Sequence, residues 1–500
     1  MLKKNTTGFT AFLPRFVVLV LMTIYIWSIP ALFAQDGKRE LVQHVNQTVK
    51  AGEIFSLIDE LSSPNYEGRL TGTIGYNNAA TFAANYFKQN SIKPLSKEYY
   101  QTFPISYTKI YESTLKIDLT SPDGKKETIA GKYFVNFYPL NFSGSGSVQG
   151  EIVFAGFGIT APEFKYDDYK DIDVTGKVVL IIGGVPSKLV KEDWESYEYH
   201  NHRTQNARKH GAAALIYIRE SAASAYGDYV ENFPMVSINK ETADKIFANK
   251  GLTVTKIKEL LDSRKYSSYN TGAQAHVMVK SENSKGVGKN VIAFLPGSDR
   301  SLKDEFIVLG AHLDHCGNWP VLTPGAEDNA SGSAALLVAA RTLSTLKTKP
   351  RRSIVFILFG GEEMGLLGSK YFMEHLPAPL TPHNILFFFN MDMVAAGPNI
   401  FIQGLKNHAP LTKLMEEGQA LLHLQAKVTG SERIPPWRAN TDDYPFLNSG
   451  IPAVTIFSAD GDHHGYHTSA DTIYWITPKI TADIVRLLCF STAIMANQTK

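Results

Sequence analysis

The sequence predicts an α/β protein: a mostly parallel sheet with helices on both faces, carrying a smaller β-rich domain inserted into it. Three observations lead there. From about residue 286 onward, apolar runs at Val291–Leu295, Phe306–Ala311, Ile354–Phe359, Ile385–Phe389 and Ala453–Phe457 are separated by helical stretches such as Ser333–Leu346 and Gly365–His375. Runs that are apolar throughout belong to strands covered on both faces. Between about 141 and 280 the pattern changes to short β runs bounded by glycine. Finally, 500 residues, 44% hydrophobic and 20% charged, exceed what one core holds.

Taken in order, the chain begins with Lys3, Lys4 and Arg15 ahead of the apolar run Phe16–Ala34. A basic start, an apolar stretch and a small residue at the break read as a secretory signal peptide over 1–34, so the mature protein is expected to be exported, periplasmic or secreted. At 19 residues the run is also long enough to span a bilayer as an uncleaved anchor. Pro30 and Ala34 favour cleavage, which leaves no membrane attachment. The segment holds three basic and no acidic residues, so the formal charge of +2 becomes −1 for the remainder. That leaves no electrostatic case for nucleic acid as a partner. With only Cys316 and Cys489, the chain is not a disulfide scaffold.

Residues 36–140 open the larger domain. Ile54, Leu57, Ile58 and Leu61 fall on one helical face, the turn-rich stretch 62–73 follows, and Ala79, Phe82, Ala83, Tyr86 and Phe87 mark a second helix. In the insertion, 141–280, the β runs are Gly150–Gly156, Gly176–Gly184, Gly211–Ile218 and Phe233–Ile238. No grouping of His, Cys or acidic residues there calls for chemistry. Residues 281–500 carry the alternating strands and helices.

In open α/β sheets, ligands bind beyond the carboxyl ends of the strands. Here Phe306–Ala311 delivers His312 and Asp314, and the loop after it carries Gly325-Ala-Glu-Asp328-Asn-Ala-Ser-Gly332. Ile354–Phe359 delivers Glu362 and Glu363, and Ile385–Phe389 delivers Asn390 and Asp392. Ala453–Phe457 runs into a loop with Asp462, His463, His464, Tyr466, His467 and Asp471. A lone histidine at a strand end is usually structural, and a lone Asp before Ser-Gly is usually a helix cap. Several carboxylates and imidazoles on one edge are different, because their repulsion and desolvation would be costly without divalent cations. A mixed His/carboxylate set suits zinc or a similar first-row metal. His463 and His464 are read as loop residues near the entrance.

In order and spacing, His312-x-Asp314, Asp328-Asn-x-Ser-Gly, Glu362-Glu363-x-Gly-Leu-x-Gly-Ser, Asn390-x-Asp392 and Tyr466-His467-Thr-x-x-Asp471 resemble peptidase family M28, the co-catalytic zinc aminopeptidases. Gly68-Arg-Leu-Thr-Gly72 fits the same family, and 141–280 resembles the protease-associated (PA) domain inserted in several exopeptidases. The resemblance implies a peptide substrate, hydrolysis of N-terminal residues, and two Zn2+ ions. Asp328 would bridge the metals, His312 and Asp392 would complete one position, and Glu363 and His467 the other. Glu362 would be the general base, Asp314 would orient His312, and the Asp328–Asn329 peptide bond would be cis. One departure is Thr441-Asp442-Asp443-Tyr-Pro-Phe446, where relatives often have Ser-Asp-His before a Phe. Asp442, Asp443 and Tyr466 are therefore expected to shape the substrate pocket. Alternatives are a single-zinc glutaminyl cyclase-like acyltransferase, a carboxypeptidase of the same fold, and a receptor-like binding module; the intact ligand set disfavours the last.

Overall fold

The structure, a computed structural model, describes residues 37–121, 123–186, 194, 197, 200–219, 227–263, 268–432 and 441–499. The expected signal peptide lies outside them. At the centre of the larger unit the strands Ala453–Ala459, Ile385–Met391, Phe306–His312 and Ser353–Phe359 lie side by side in that order, all parallel. Antiparallel neighbours flank them: Asn399–Gln403 beside Ala453–Ala459, and the end of Tyr269–Leu295 beside Ser353–Phe359.

Side chains alternate across a strand, so the apolar run Ser353–Phe359 has to feed two cores. It does. Ile354, Phe356 and Leu358 enter a core shared with the helices Ala51–Leu61, Ile74–Gln89, Gly332–Ser344 and Pro478–Asn497. Val355, Ile357 and Phe359 enter a second core with Phe372 and Phe446, from the helices Leu367–Glu374 and Asp443–Asn448. The predicted helical face of Ile54, Leu57, Ile58 and Leu61 is the buried one. Pro478–Asn497 is long and apolar enough to cross a membrane, but here it packs inside the first core.

The chain has a feature that its apolar pattern does not announce. Tyr100–Thr120 and Tyr269–Leu295 form a long antiparallel pair, in register from Tyr100 opposite Val291 to Asp118 opposite Gln274, with one irregularity at Lys280/Ser281. Tyr269–Leu295 also pairs with Gly146–Phe154, which leads to the parallel strands Val178–Ile182, Ala214–Ile218 and Met235–Ile238. One sheet therefore runs through both units. Ile110, Leu115 and Ile117 pack into the same core as Ile152, Val178, Ile216 and Val277.

Candidate metal centre

The parallel strands end in the residues that build the site. His312 is the last residue of its strand, and Ser333 Oγ donates to its carbonyl at 2.8 Å. Asp314 follows, fully buried. Its carboxylate was expected to orient His312, yet Oδ1 lies 3.8 Å from His312 Nδ1, too far for a hydrogen bond. The ring instead faces the Asp314 backbone carbonyl at 3.3 Å. The Asp314 carboxylate accepts from the backbone N–H groups of Glu362 (3.2 Å) and Glu363 (3.4 Å), so it ties the two-glutamate turn to the neighbouring strand end.

Each polar residue around Asp328 also has a task. Asp471 accepts from the amides of Glu327 and Asp328, at 2.9 and 3.0 Å. Asn329 donates to Met391 O and accepts from the Gly332 and Met393 amides. The Asp328–Asn329 peptide bond is cis, as the resemblance implies. Gly332 has no room for a side chain, since a Cβ would stand 2.6 Å from Met391 O.

The result is a buried ring of donors in two halves. His312 Nε2 lies 3.2 Å from Asp392 Oδ1 and 3.4 Å from Asp328 Oδ1. His467 Nε2 lies 3.0 Å from both Asp328 Oδ2 and Glu363 Oε2. Asp328 Oδ2 and Glu363 Oε2 are buried without a well-formed hydrogen bond. Buried carboxylates crowded this closely are costly unless cations sit among them, and His/carboxylate donors at this spacing fit divalent first-row metals. Glu362 stands in the same neighbourhood, its carboxylate within 4.8 Å of ligand atoms of His312 and Glu363.

The electrostatics separate the two glutamates. Burial, then the charges of Glu363, Asp442 and Asp392, push Glu362 well above the usual carboxylate range, against the pull of His312. Glu363 is held well below that range despite burial, by His467 and His315. His467 is held well above the imidazole range despite burial, by the charge of Glu363 and Asp328. The backbone at His467 is left-handed (φ 55) in a turn begun by Gly465; such conformations are uncommon outside glycine and gather at functional sites.

The other expected residues are close by. The Tyr466 ring stacks on His467, centroids 3.8 Å apart. The residue is 37% exposed, but desolvation at its hydroxyl end and the charges of Asp328, Glu363 and Glu362 hold the phenol well above its ordinary range. Asp442 is fully buried, its carboxyl raised to about 7 by burial. Asp443 accepts from Thr441 Oγ1 at 2.7 Å. His463 faces Glu327 at 3.0 Å, and the His464 ring packs at a tilt against Trp475. One residue escaped the sequence reading: His315, whose Nδ1 is 2.8 Å from Glu363 Oε1; Cys316, read there only as a thiol, lies beside it. The spacing His312-x-x-His315 just beyond a strand end was the available signal.

Comparison with known proteins decides the family. Residues 290–491 match the model of peptidase family M28, and residues 148–246 match that of the PA domain. Residues 290–491 are a peptidase family M28 domain. Leupeptin-inactivating enzyme 1 of Streptomyces exfoliatus is 32% identical over 181 residues, covering 35% of this chain and 37% of that protein. Aminopeptidase YwaD of Bacillus subtilis (strain 168) is 26% identical over 346 residues, 64% of each chain. The chain thus spans less than two thirds of the length of these curated relatives. Among solved structures, an aminopeptidase from Aneurinibacillus sp. strain AM-1 superposes with a TM-score of 0.64 at 22% identity, covering 92% of this chain and 97% of that one. That likeness is one of fold.

The PA unit reaches the cleft of the M28 domain. A cavity of about 380 Å³ is lined by Leu70, Cys316, Trp319 and Met364 from the peptidase unit and by Asn141 and Tyr229 from the insertion. Cys316 and Met364 adjoin His315 and Glu363 in the chain, so the cavity lies next to the His467 half of the donor ring.

Proposed function

We propose that this chain is an exported aminopeptidase that hydrolyses N-terminal residues from peptides, using two Zn2+ ions and Glu362 as general base. One observation carries the reading: the two oxygens of Asp328 face different imidazoles, His312 and His467, as a carboxylate shared between two cations would. His312 and Asp392 then complete one position, and Glu363 and His467 the other. Export rests on the basic, apolar and small-residue pattern of residues 1–34.

A pair of divalent cations supplies Lewis acidity, which polarises a peptide carbonyl and lowers the pKa of a water toward ~7. The rest falls to the chain. Glu362, whose carboxyl burial pushes above the usual carboxylate range, would take the proton of the attacking water and pass it to the leaving amine. Tyr466 keeps its phenolic proton and can donate it to the carbonyl oxygen as charge develops there. Asp314 holds the two-glutamate turn, and Asp471 holds the Glu327–Asp328 amides. The cavity at the PA boundary receives part of the peptide.

The test is one assay panel of aminoacyl chromogenic substrates, N-acetylated controls and an N-terminal Gln peptide, each with and without chelator. Chelator-sensitive cleavage of the free-amine substrates alone is expected. Efficient cleavage of N-acetylated peptides would contradict the exopeptidase reading, and cyclisation of the Gln peptide with one metal per chain would favour the cyclase.

A further inference from the structure

We propose that Lys109 makes the cavity between the peptidase and PA units a carboxylate-binding subsite, so that peptides bringing a carboxylate into it are preferred substrates. This rests on the reading of the chain as an aminopeptidase and deepens it. The cavity adjoins the donor ring: Cys316 lines it, and the Cys316 sulfur lies within 4.8 Å of ligand atoms of Glu363 and His467. Its volume of about 380 Å³ falls in the range of small-ligand pockets.

Lys109 stands on the strand Tyr100–Thr120, two residues after Tyr107, so both side chains leave the same face. Its ammonium lies over two rings that line the cavity, 5.6 Å from the Tyr107 centroid and 5.4 Å from that of Trp319. Aromatic faces attract a cation without neutralising it. Glu282 stands opposite Lys109 in the ladder and could have done so. Its oxygens instead accept from the Tyr111 hydroxyl at 2.9 Å and Ser284 Oγ at 3.2 Å, and Lys109 forms no ion pair among the described residues.

The cradle under the ammonium is built. Gly72 and Gly286 make room for the Tyr107 ring, since a Cβ would stand 3.0 and 2.9 Å from its atoms. The loop carrying Trp319 is closed by the Thr323 amide and hydroxyl, which both donate to Gly317 O, at 2.9 and 2.7 Å. The amides of Asn141 and Asn283 add neutral donors to the cavity wall. Among the described residues lining the cavity the one charged group is Asp228, which is exposed to solvent. The cation held at the cavity is therefore Lys109, and a substrate carboxylate is the group that would complete it. That carboxylate can be the C-terminus of a short peptide or an acidic side chain.

The experiment measures KM and kcat for matched substrates of the zinc-loaded protein. Leu-Gly-Gly is set against its C-terminal amide. Peptide amides with Glu, Gln or Lys at the first or second position form a second series, which separates a side-chain carboxylate from a terminal one. In at least one series the carboxylate member should have a KM about 10-fold below that of its neutral match. Lys109→Gln should erase that difference while metal content stays the same, and Lys109→Arg should keep it. Lys116→Gln, on the same strand but paired with Asp118, should leave it unchanged. Equal KM across every matched pair, a difference that survives in Lys109→Gln, or a preference for the Lys peptides would overturn the proposal. No hydrolysis of any free-amine substrate would overturn the aminopeptidase reading itself, and this inference with it.

Discussion

Arg69 is the residue whose loss should propagate furthest. It is fully buried, and its guanidinium donates to four backbone carbonyls: Leu313 O at 2.9 Å, Leu61 O at 2.6 Å, Pro324 O at 2.7 Å and Gly325 O at 2.8 Å. Burial lowers its pKa to about 10, while Asp471, Asp328, Asp314 and Glu363 hold the proton on. Arg69→Met fills much of the volume but leaves four carbonyls without their donor. At ~1.5 kcal/mol for each charge-assisted bond the gross loss is about 6 kcal/mol. Removing the buried cation recovers part of its desolvation, so the expected destabilisation is ~3–5 kcal/mol. Because Leu313, Pro324 and Gly325 flank His312, Asp314 and Asp328, metal content should fall too. Arg69→Lys should recover little, since an ammonium lacks the fixed fork. Denaturant unfolding at fixed free zinc measures the effect as a shift in midpoint at constant slope. A loss below about 1 kcal/mol with full metal content would refute the reasoning.

Three further outcomes are expected. Burial raises the Asp168 carboxyl in the PA unit to about 7, against amide bonds from Phe157 and Ile159 and the Tyr166 hydroxyl. A carboxyl raised on folding contributes stability below its unfolded pKa of ~3.9 that is lost as pH rises to about 7. The slope of stability over that window should flatten in Asp168→Asn, and an unchanged slope would remove Asp168 as its source. Chelation should lower the melting temperature and zinc should restore it, because a cation bound only by the folded chain at 1,000 times its Kd contributes about 4 kcal/mol; a melting curve indifferent to chelator would count against a resident metal. Tyr229→Ala, in the cavity wall contributed by the PA unit, should change KM for longer peptides while metal content stays the same, and an identical length profile would remove that wall from substrate binding.

Much of the larger unit was legible because its strands are apolar on both faces, and the helix spanning Ile54 to Leu61 because its spacing is regular. Tyr100–Thr120 and Tyr269–Leu295 were not. Their middle stretches, such as Lys-Ser-Glu-Asn-Ser-Lys at 280–285, have exposed or half-exposed positions and form a ladder whose partner lies far away in sequence. Backbone pairing, not apolar patterning, holds them. In the site, the strand-end motifs pointed to His312, Asp328, Glu362, Glu363, Asp392 and His467 one by one, and the structure brings them together. His315 was passed over because it follows Asp314 in a stretch read only as far as that residue. For the Asp314 carboxylate, position in a motif gives proximity to His312, but only the three-dimensional turn puts the Glu362 and Glu363 amides within its reach.

The central claim is a division of labour between adjacent glutamates, Glu363 holding metal and Glu362 moving a proton. Metal analysis by mass spectrometry beside kinetics on purified Glu362→Ala and Glu363→Ala tests it most directly. Glu362→Ala should retain both metals and lose ~10²–10⁴-fold in turnover, as removal of a general base should. Glu363→Ala should instead lose metal, with residual activity that rises with added zinc. A metal-depleted Glu362→Ala beside a fully loaded Glu363→Ala would reverse the two roles and contradict the account.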